Sequence, residues 1–284
     1  MSMWKERYKV GIDLIDSRHK QLFDTTEKLI LIIDGEGAVD KKQECADMVT
    51  FLKNYAAEHF AEEEEYQLSI SYSDIDRHKA LHRVFAATVL KLEQKLIAAD
   101  FSVSALKEVA GFLTSWLTYH VVGIDQKLRK KELLEDQYAL KITSFIDCFE
   151  QSAIGVLETM TGITDGKITR TTYQGNEDDV RIMVGLIGDH LGEAFFTFTK
   201  EFTLNLIDMM TSIKITAVDE LAYSALSEMT NIISGNASSL IAGSGIISDI
   251  KTPVIISDFK GVDNRSGFFI DTALGCMAVS VNVG

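Results

Sequence analysis

The 284-residue chain has a single proline, Pro253, and three cysteines, Cys45, Cys148 and Cys276. Scarce proline leaves long helices unbroken, because proline removes a helical N–H and its ring clashes with the preceding turn. The cysteines are odd in number and widely scattered, so they form neither a disulfide framework nor a thiolate metal site. A reducing cytoplasm is the compartment they fit. No segment is both long and apolar enough to span a bilayer, and residues 1–10 lack the apolar core of a signal segment. Positive charge is in deficit. With 28 Lys and Arg against 42 Asp and Glu, the net charge of -14 argues against nucleic acid and anionic membrane as partners.

At about twice the usual domain length, the chain is expected to hold two domains, each with its own core. The first half carries four segments with apolar residues at helical spacing, at about residues 14–33, 42–68, 74–98 and from 102 onward. Each stripe includes a histidine. His19 aligns with Leu22, Phe23, Ile30 and Ile33; His59 and Glu63 follow Met48, Leu52 and Tyr55. His78 and His82 lead into Phe85, Val89, Leu92 and Leu96; Leu106, Val109, Leu113 and Trp116 precede His120 and Asp125. Four amphipathic helices with short connections predict an up-down-up-down bundle.

Two of these helices carry a pair of metal-binding residues four apart, His59 with Glu63 and His78 with His82. Such residues lie about 40° apart around an α-helix and one turn apart along it, so both reach one centre. His19, His120 and Asp125 complete a set of five imidazoles and two carboxylates. A lone inward histidine is more often a hydrogen-bonded core residue than a ligand. That account fails for five of the chain's six histidines on four buried stripes, where unpaired polar groups are costly. Imidazole and carboxylate without thiolate suit iron, manganese or zinc, and the number of carboxylates points to two bridged ions. Glu62, Glu64 and Glu65 read as a solvated charged face without a role.

Over residues 1 to about 130 the sequence resembles the hemerythrin and bacteriohemerythrin family. The resemblance runs through Trp4, Tyr8, Val10-Gly11-Ile12, Ile15-Asp16, His19, His59-Phe60, Glu63, His78, His82, Trp116, His120 and Asp125. It implies a non-haem di-iron centre: His78, His82 and His120 on one iron, His19 and His59 on the other, Glu63 and Asp125 bridging. Dioxygen would be the ligand at the iron with the open position. Phe23, Phe60, Phe85 and Trp116 are expected to form an apolar sheath around it. The segment Gly35 to Asp40 is looser in pattern and a place where ligand access could vary.

The second half changes texture. A helix at 142–160 is followed by strand-like runs at 167–173, 180–188 and 192–199, helices at 200–211 and 217–242, and strands near 253–256, 267–272 and 277–283. This predicts an α+β domain with a mostly antiparallel sheet. On the 217–242 helix, Ser224, Glu228, Asn231 and Gly235 share one face, while Leu221, Ala225, Met229 and Ile232 should pack on the sheet. An acid and an amide three apart on a helix are common, and the spacing alone decides nothing.

The run Asp219-Glu220-Leu221, Ser224, Glu228-Met229-Thr230-Asn231 and Gly235-Asn236-Ala237 resembles the active helix of the chemotaxis phosphatases CheC and CheX. The single acid-amide helix and the order of elements match CheX. The resemblance implies hydrolysis of the aspartyl phosphate of a CheY-type response regulator, with Asn231 orienting the attacking water and Glu228 contacting the regulator's active site. The magnesium would belong to the regulator. It also implies a homodimer, and close approach of the partner's backbone at Gly235. His190, the sixth histidine, falls in a turn between strands and is expected to be exposed.

The sequence therefore predicts a hemerythrin-like bundle over residues 1–135 and a CheX-like domain over 136–284. The charged run 126–136 holds no Gly or Pro, so the fourth helix is expected to continue toward the second domain. The functional expectation is an oxygen- or redox-sensing phosphatase of a response regulator. The rivals are an oxygen- or iron-binding protein with a docking domain that lacks activity and, more distantly, a di-iron oxidase or peroxidase.

Overall fold

The computed structural model describes residues 2–35, 42–129, 144–171, 173, 175–256 and 266–283. The chain divides into two compact units, one helical and one α+β. The boundary expected at 135 and the Glu36 to Asp40 segment lie outside the described residues.

The helical unit contains α1 (Asp13–Asp34), α2 (Lys42–Ser69), α3 (Ile75–Ala98) and α4 (Val103–Tyr119). Helix α1 packs on α2 and α4, and α3 packs on the same two, which closes a four-helix bundle. Its apolar stripes supply the core, with Phe23, Leu29, Ile30, Leu96 and Leu106 each at most 2% exposed. Two local devices set the helix starts. The Asp16 carboxylate accepts the backbone N–H groups of Val10 at 2.6 Å and Gly11 at 3.0 Å, folding the N-terminal segment onto α1. Ser102 caps α4 by accepting the Ala105 N–H, satisfying one of the amides left unpaired at a helix start.

Helix α4 does not run on regularly as expected. It passes at Tyr119 into a π-helical turn, His120–Ile124, and then into the single turn α5 (Gln126–Arg129). The backbone N–H of Asp125 donates to the His120 carbonyl at 2.9 Å, the i+5 bond that defines such a turn. The continuation predicted through residue 136 passes beyond the described residues at 130.

The α+β unit begins with α6 (Phe145–Thr161), capped by Ser144 and ended by Gly162 in the left-handed conformation. Strands β1 (Lys167–Thr169), β2 (Val180–Gly188), β3 (Gly192–Phe198), β4 (Ser248–Ile250), β5 (Val254–Ile255), β6 (Ser266–Thr272) and β7 (Gly275–Val283) form one sheet. Its order is β1-β6-β7-β3-β2-β4 with β5 also on β2, and every pairing is antiparallel. Helices α6 and α7 (Lys200–Thr211) pack on β7. Strand β4 had no clear period in the sequence because it is only three residues long.

Helix α8 (Glu220–Ala242) starts three residues later than its periodicity suggested. It buries Ala225, Met229, Ile233, Ala237 and Ile241, so Ile233 rather than Ile232 faces inward. Two serine hydroxyls tie it down. Ser152 of α6 donates to the Ile233 carbonyl at 2.7 Å, and Ser238 donates to the Ser248 carbonyl of β4 at 2.7 Å.

Candidate functional site

The bundle brings all seven predicted ligands together. His19 comes from α1, His59 and Glu63 from α2, His78 and His82 from α3, and His120 and Asp125 from the π-helical turn. All are at most 3% exposed. Glu63 sits between two groups of donors: with His78, His82 and His120 on one side and with His19 and His59 on the other. Its Oε1 lies 3.0 Å from His78 Nε2, and its Oε2 lies 3.5 Å from His59 Nε2. Asp125 spans the groups likewise, with Oδ2 at 3.1 Å from His19 Nε2 and Oδ1 at 3.2 Å from His120 Nε2.

The π-helical turn explains how Asp125 joins. In a regular α-helix, residues five apart point about 140° away from each other. The wider turn brings His120 and Asp125 to the same side, and such turns recur at functional sites.

The donors are close, yet most of them are not hydrogen-bonded to one another. The ring nitrogens of His19 and His78, Glu63 Oε2 and both Asp125 oxygens make close contacts but no well-formed hydrogen bond among the described residues. The Nε2 atoms of His82 and His120 stand 3.0 Å apart. Each buried orphan costs about 1–3 kcal/mol, so the cluster makes physical sense around cations that accept these lone pairs. The set fits metal ions by its donor chemistry as well as its convergence.

Electrostatics of the protein groups alone point the same way. Burial pushes His19 down to about 4 and His59 to about 3, keeping both imidazoles neutral and able to ligate. Burial also lowers His82 and His120. At His78 burial acts downward, but the Glu63 carboxylate 3.0 Å away and the charge of Asp125 raise it overall. Burial works against ionisation of Glu63, yet the close imidazole of His78 holds its carboxyl below the usual range, whereas burial and the neighbouring Glu63 raise Asp125.

Aromatic rings wall one side. Phe60 stacks on His82 with centroids 3.8 Å apart, Trp116 stacks on His120 at 4.2 Å, and Phe85 packs against Trp116 at 4.1 Å. Phe23, expected in the same wall, packs instead with Trp4 at 5.8 Å and Tyr8 at 5.3 Å. Two polar residues at the site went unassigned in the sequence. The Gln67 amide donates to Glu63 Oε1 at 2.9 Å, and Glu64 Oε1 lies 2.9 Å from His82 Nδ1. Glu64 was read as solvated face, and only its packing toward His82 of α3 sets it apart. Glu62 does face outward to a partner, the guanidinium of Arg18 at 2.5 Å.

On α8, Glu228 and Asn231 stand side by side, both partly exposed, with the amide nitrogen 3.5 Å from the Glu228 carboxylate. Burial pushes the Glu228 carboxyl up to about 8, against the opposing pull of the Asn231 hydrogen bond. One turn on, a Cβ at Gly235 would meet nothing nearer than Ile250 Cδ1 at 4.0 Å, so packing within the chain does not demand glycine there. His190 is exposed beside Phe145, as expected. Among the described residues no helix is long and apolar enough to cross a membrane.

Comparison with known proteins follows the same division. Residues 10–131 match the model of the hemerythrin HHE cation binding domain, and residues 180–270 match that of the chemotaxis phosphatase CheX. A bacteriohemerythrin of Clostridium acetobutylicum is 34% identical over 127 residues, covering 45% of this chain and 98% of the relative. A myohemerythrin of Theromyzon tessulatum is 28% identical over 128 residues, covering 45% of this chain and 91% of its own length. Among solved structures, a CheC-like superfamily protein from Shewanella sp. PV-4 aligns with 22% identity over 49% of this chain and 97% of its own, at a TM-score of 0.43. A chain of the CheX-CheY-BeF3-Mg complex from Borrelia burgdorferi aligns with 19% identity over 49% of this chain and 97% of its own, at a TM-score of 0.44. The bundle that gathers these imidazoles and carboxylates makes this chain a member of the hemerythrin family, joined here to a CheX domain.

Proposed function

We propose that the protein is a sensor phosphatase, in which a di-iron centre in the bundle registers dioxygen or redox state and α8 dephosphorylates a CheY-type response regulator. The observation that carries the reading is the presence, in one chain, of a buried unpaired donor set and an outward acid-amide pair on α8. His78, His82 and His120 would hold one iron, His19 and His59 the other, and Glu63 and Asp125 would bridge. A ferrous pair held there would supply electrons to dioxygen. The protein side chains do the rest: they fix the donors, and Phe60, Phe85 and Trp116 keep water away from His82 and His120.

At α8 the chemistry is placement. Phosphoryl transfer to water needs an in-line nucleophile and stabilised charge more than covalent help. The Asn231 carboxamide can accept from and donate to one water, and Glu228 beside it would contact the regulator's active site, whose magnesium belongs to the regulator. The open space at Gly235 suits close approach of the partner's backbone. In this reading the CheX domain forms a homodimer. Because His120 opens and Asp125 caps the π-helical turn that ends α4, a change at the centre would be felt first at that turn. Real coupling requires two states with different ligand affinity.

The test is phosphate release from CheY-type regulators, timed with iron-loaded protein before and after air, with the Glu228→Ala, Asn231→Ala chain as control. A rate that needs both residues and changes with dioxygen supports the sensor phosphatase; an oxygen-independent rate removes the sensor. No rate above control across several regulators favours the second reading, an oxygen- or iron-binding hemerythrin with a docking domain. One feature favours that reading: burial pushes the Glu228 carboxyl up to about 8.

A further inference from the structure

Of the carboxylates around the metal centre, Glu64 is the one whose place the ligand set does not explain. It follows Glu63 on α2 but points to the other side of His82. Its Oε1 lies 2.9 Å from His82 Nδ1, while His82 Nε2 faces Glu63 Oε2 at 3.7 Å and His120 Nε2 at 3.0 Å. Its other oxygen lies 3.8 Å from Lys79 Nζ, with the two side chains 26% and 29% exposed. Phe60 stacks on the same imidazole at 3.8 Å, so the ring is held over its face and at its outer nitrogen at once. By contrast, Nδ1 of His19, His59 and His78 has no hydrogen-bond partner among the described residues.

We infer that Glu64 is a positioning residue for the metal centre, accepting the Nδ1–H of His82 so that Nε2 faces the metal, and lending that imidazole electron density. The physical argument is local. An imidazole whose outer N–H is held by a carboxylate is locked in one tautomer and orientation and is a more basic ligand. A more electron-rich ligand favours the ferric state over the ferrous. Lys79 withdraws part of that density from the solvent side. The arrangement makes the side of the site formed by His78, His82 and His120 electronically unlike the side formed by His19 and His59. It rests on the reading of the bundle as an iron centre.

The experiment uses the full chain loaded anaerobically with ferrous iron, and three readouts: iron bound per chain, its rate of release to a chelator, and the midpoint potential followed through the visible absorption. Glu64→Gln keeps an acceptor oxygen but removes the charge, and should retain iron while its potential moves positive. Glu64→Ala should release iron about 10- to 100-fold faster. Lys79→Met should shift the potential the opposite way, to negative values. Glu65→Gln, one residue on and exposed, should match the unaltered chain. A Glu64→Gln potential and spectrum equal to those of Glu65→Gln would overturn the positioning role even if Glu64→Ala folds poorly. An unaltered chain that takes up no iron would overturn the iron reading itself, which is a separate failure.

Discussion

The bundle centre and the α8 pair are both polar clusters on helices, and their surroundings differ completely. In the bundle the polar side chains are buried with their lone pairs turned on one another, and Asp125 and Glu63 keep oxygens without hydrogen bonds. On α8, Glu228 and Asn231 are partly exposed and within reach of each other. A buried unpaired set is unstable by itself, so its ligand can be inferred from the protein alone. A pair at the surface needs no bound cation to account for it, so its role depends on what meets it. The difference teaches which claims geometry can carry: the bundle argues for a cation, and α8 argues only through a partner.

The contrast predicts opposite consequences for stability, the largest of them in the bundle. Iron should stabilise the fold by about 2.7 kcal/mol when free iron is a hundredfold above its Kd, raising the unfolding temperature, and Glu63→Ala should abolish that gain. Thermal unfolding of iron-free and iron-loaded chains measures it; equal melting of the two would break the contrast. At α8 the expected effect falls on rate instead. Asn231→Ala should slow phosphate release about 100-fold while shifting stability by no more than about 0.5 kcal/mol. A loss of stability comparable to the loss of rate would make Asn231 a structural residue.

Glu228 sharpens the comparison through pH. Its folded value of about 8 lies above the ordinary carboxyl range, so the folded state holds a proton that the unfolded state has released. Stability contributed by the protonated form is therefore present at low pH and declines as pH rises from about 4.5 to about 8. Relative to the unaltered chain, Glu228→Gln should be equally stable below that window and more stable above it, measured as denaturant midpoints across pH. The smallest effect is at Gly235. Gly235→Ala should stabilise α8 by about 0.5–1 kcal/mol, since alanine is the better helix former and its methyl has room. Slower phosphate release in that more stable variant would mark Gly235 as the surface a regulator approaches.

Much of this was legible in the residues. The i, i+4 pairs His59 with Glu63 and His78 with His82 announced two ligand-bearing helices, because helical geometry alone puts such pairs on one face. His19 and His120 joined them through their apolar neighbours. The alternation in 180–188 and 192–199 marked β2 and β3, and the run near 253–256 marked β5, whereas β4 was too short for any period to register. Glu64 was misread because a run of four acids, Glu62 to Glu65, looks uniformly solvated. Only packing against α3 separates the one that meets His82 from the one that meets Arg18.

By itself, then, the sequence determined the four amphipathic stripes, the donor set and the acid-amide face, since these are set by local periodicity and residue chemistry. Tertiary structure decided three further things: that α4 opens into a π-helical turn and so brings Asp125 beside His120, that Glu64 holds His82, and that Ile233 rather than Ile232 anchors α8. Each depends on how one helix meets its neighbours, and a helical period leaves its exact rotation and its local turn width free until that packing is in place.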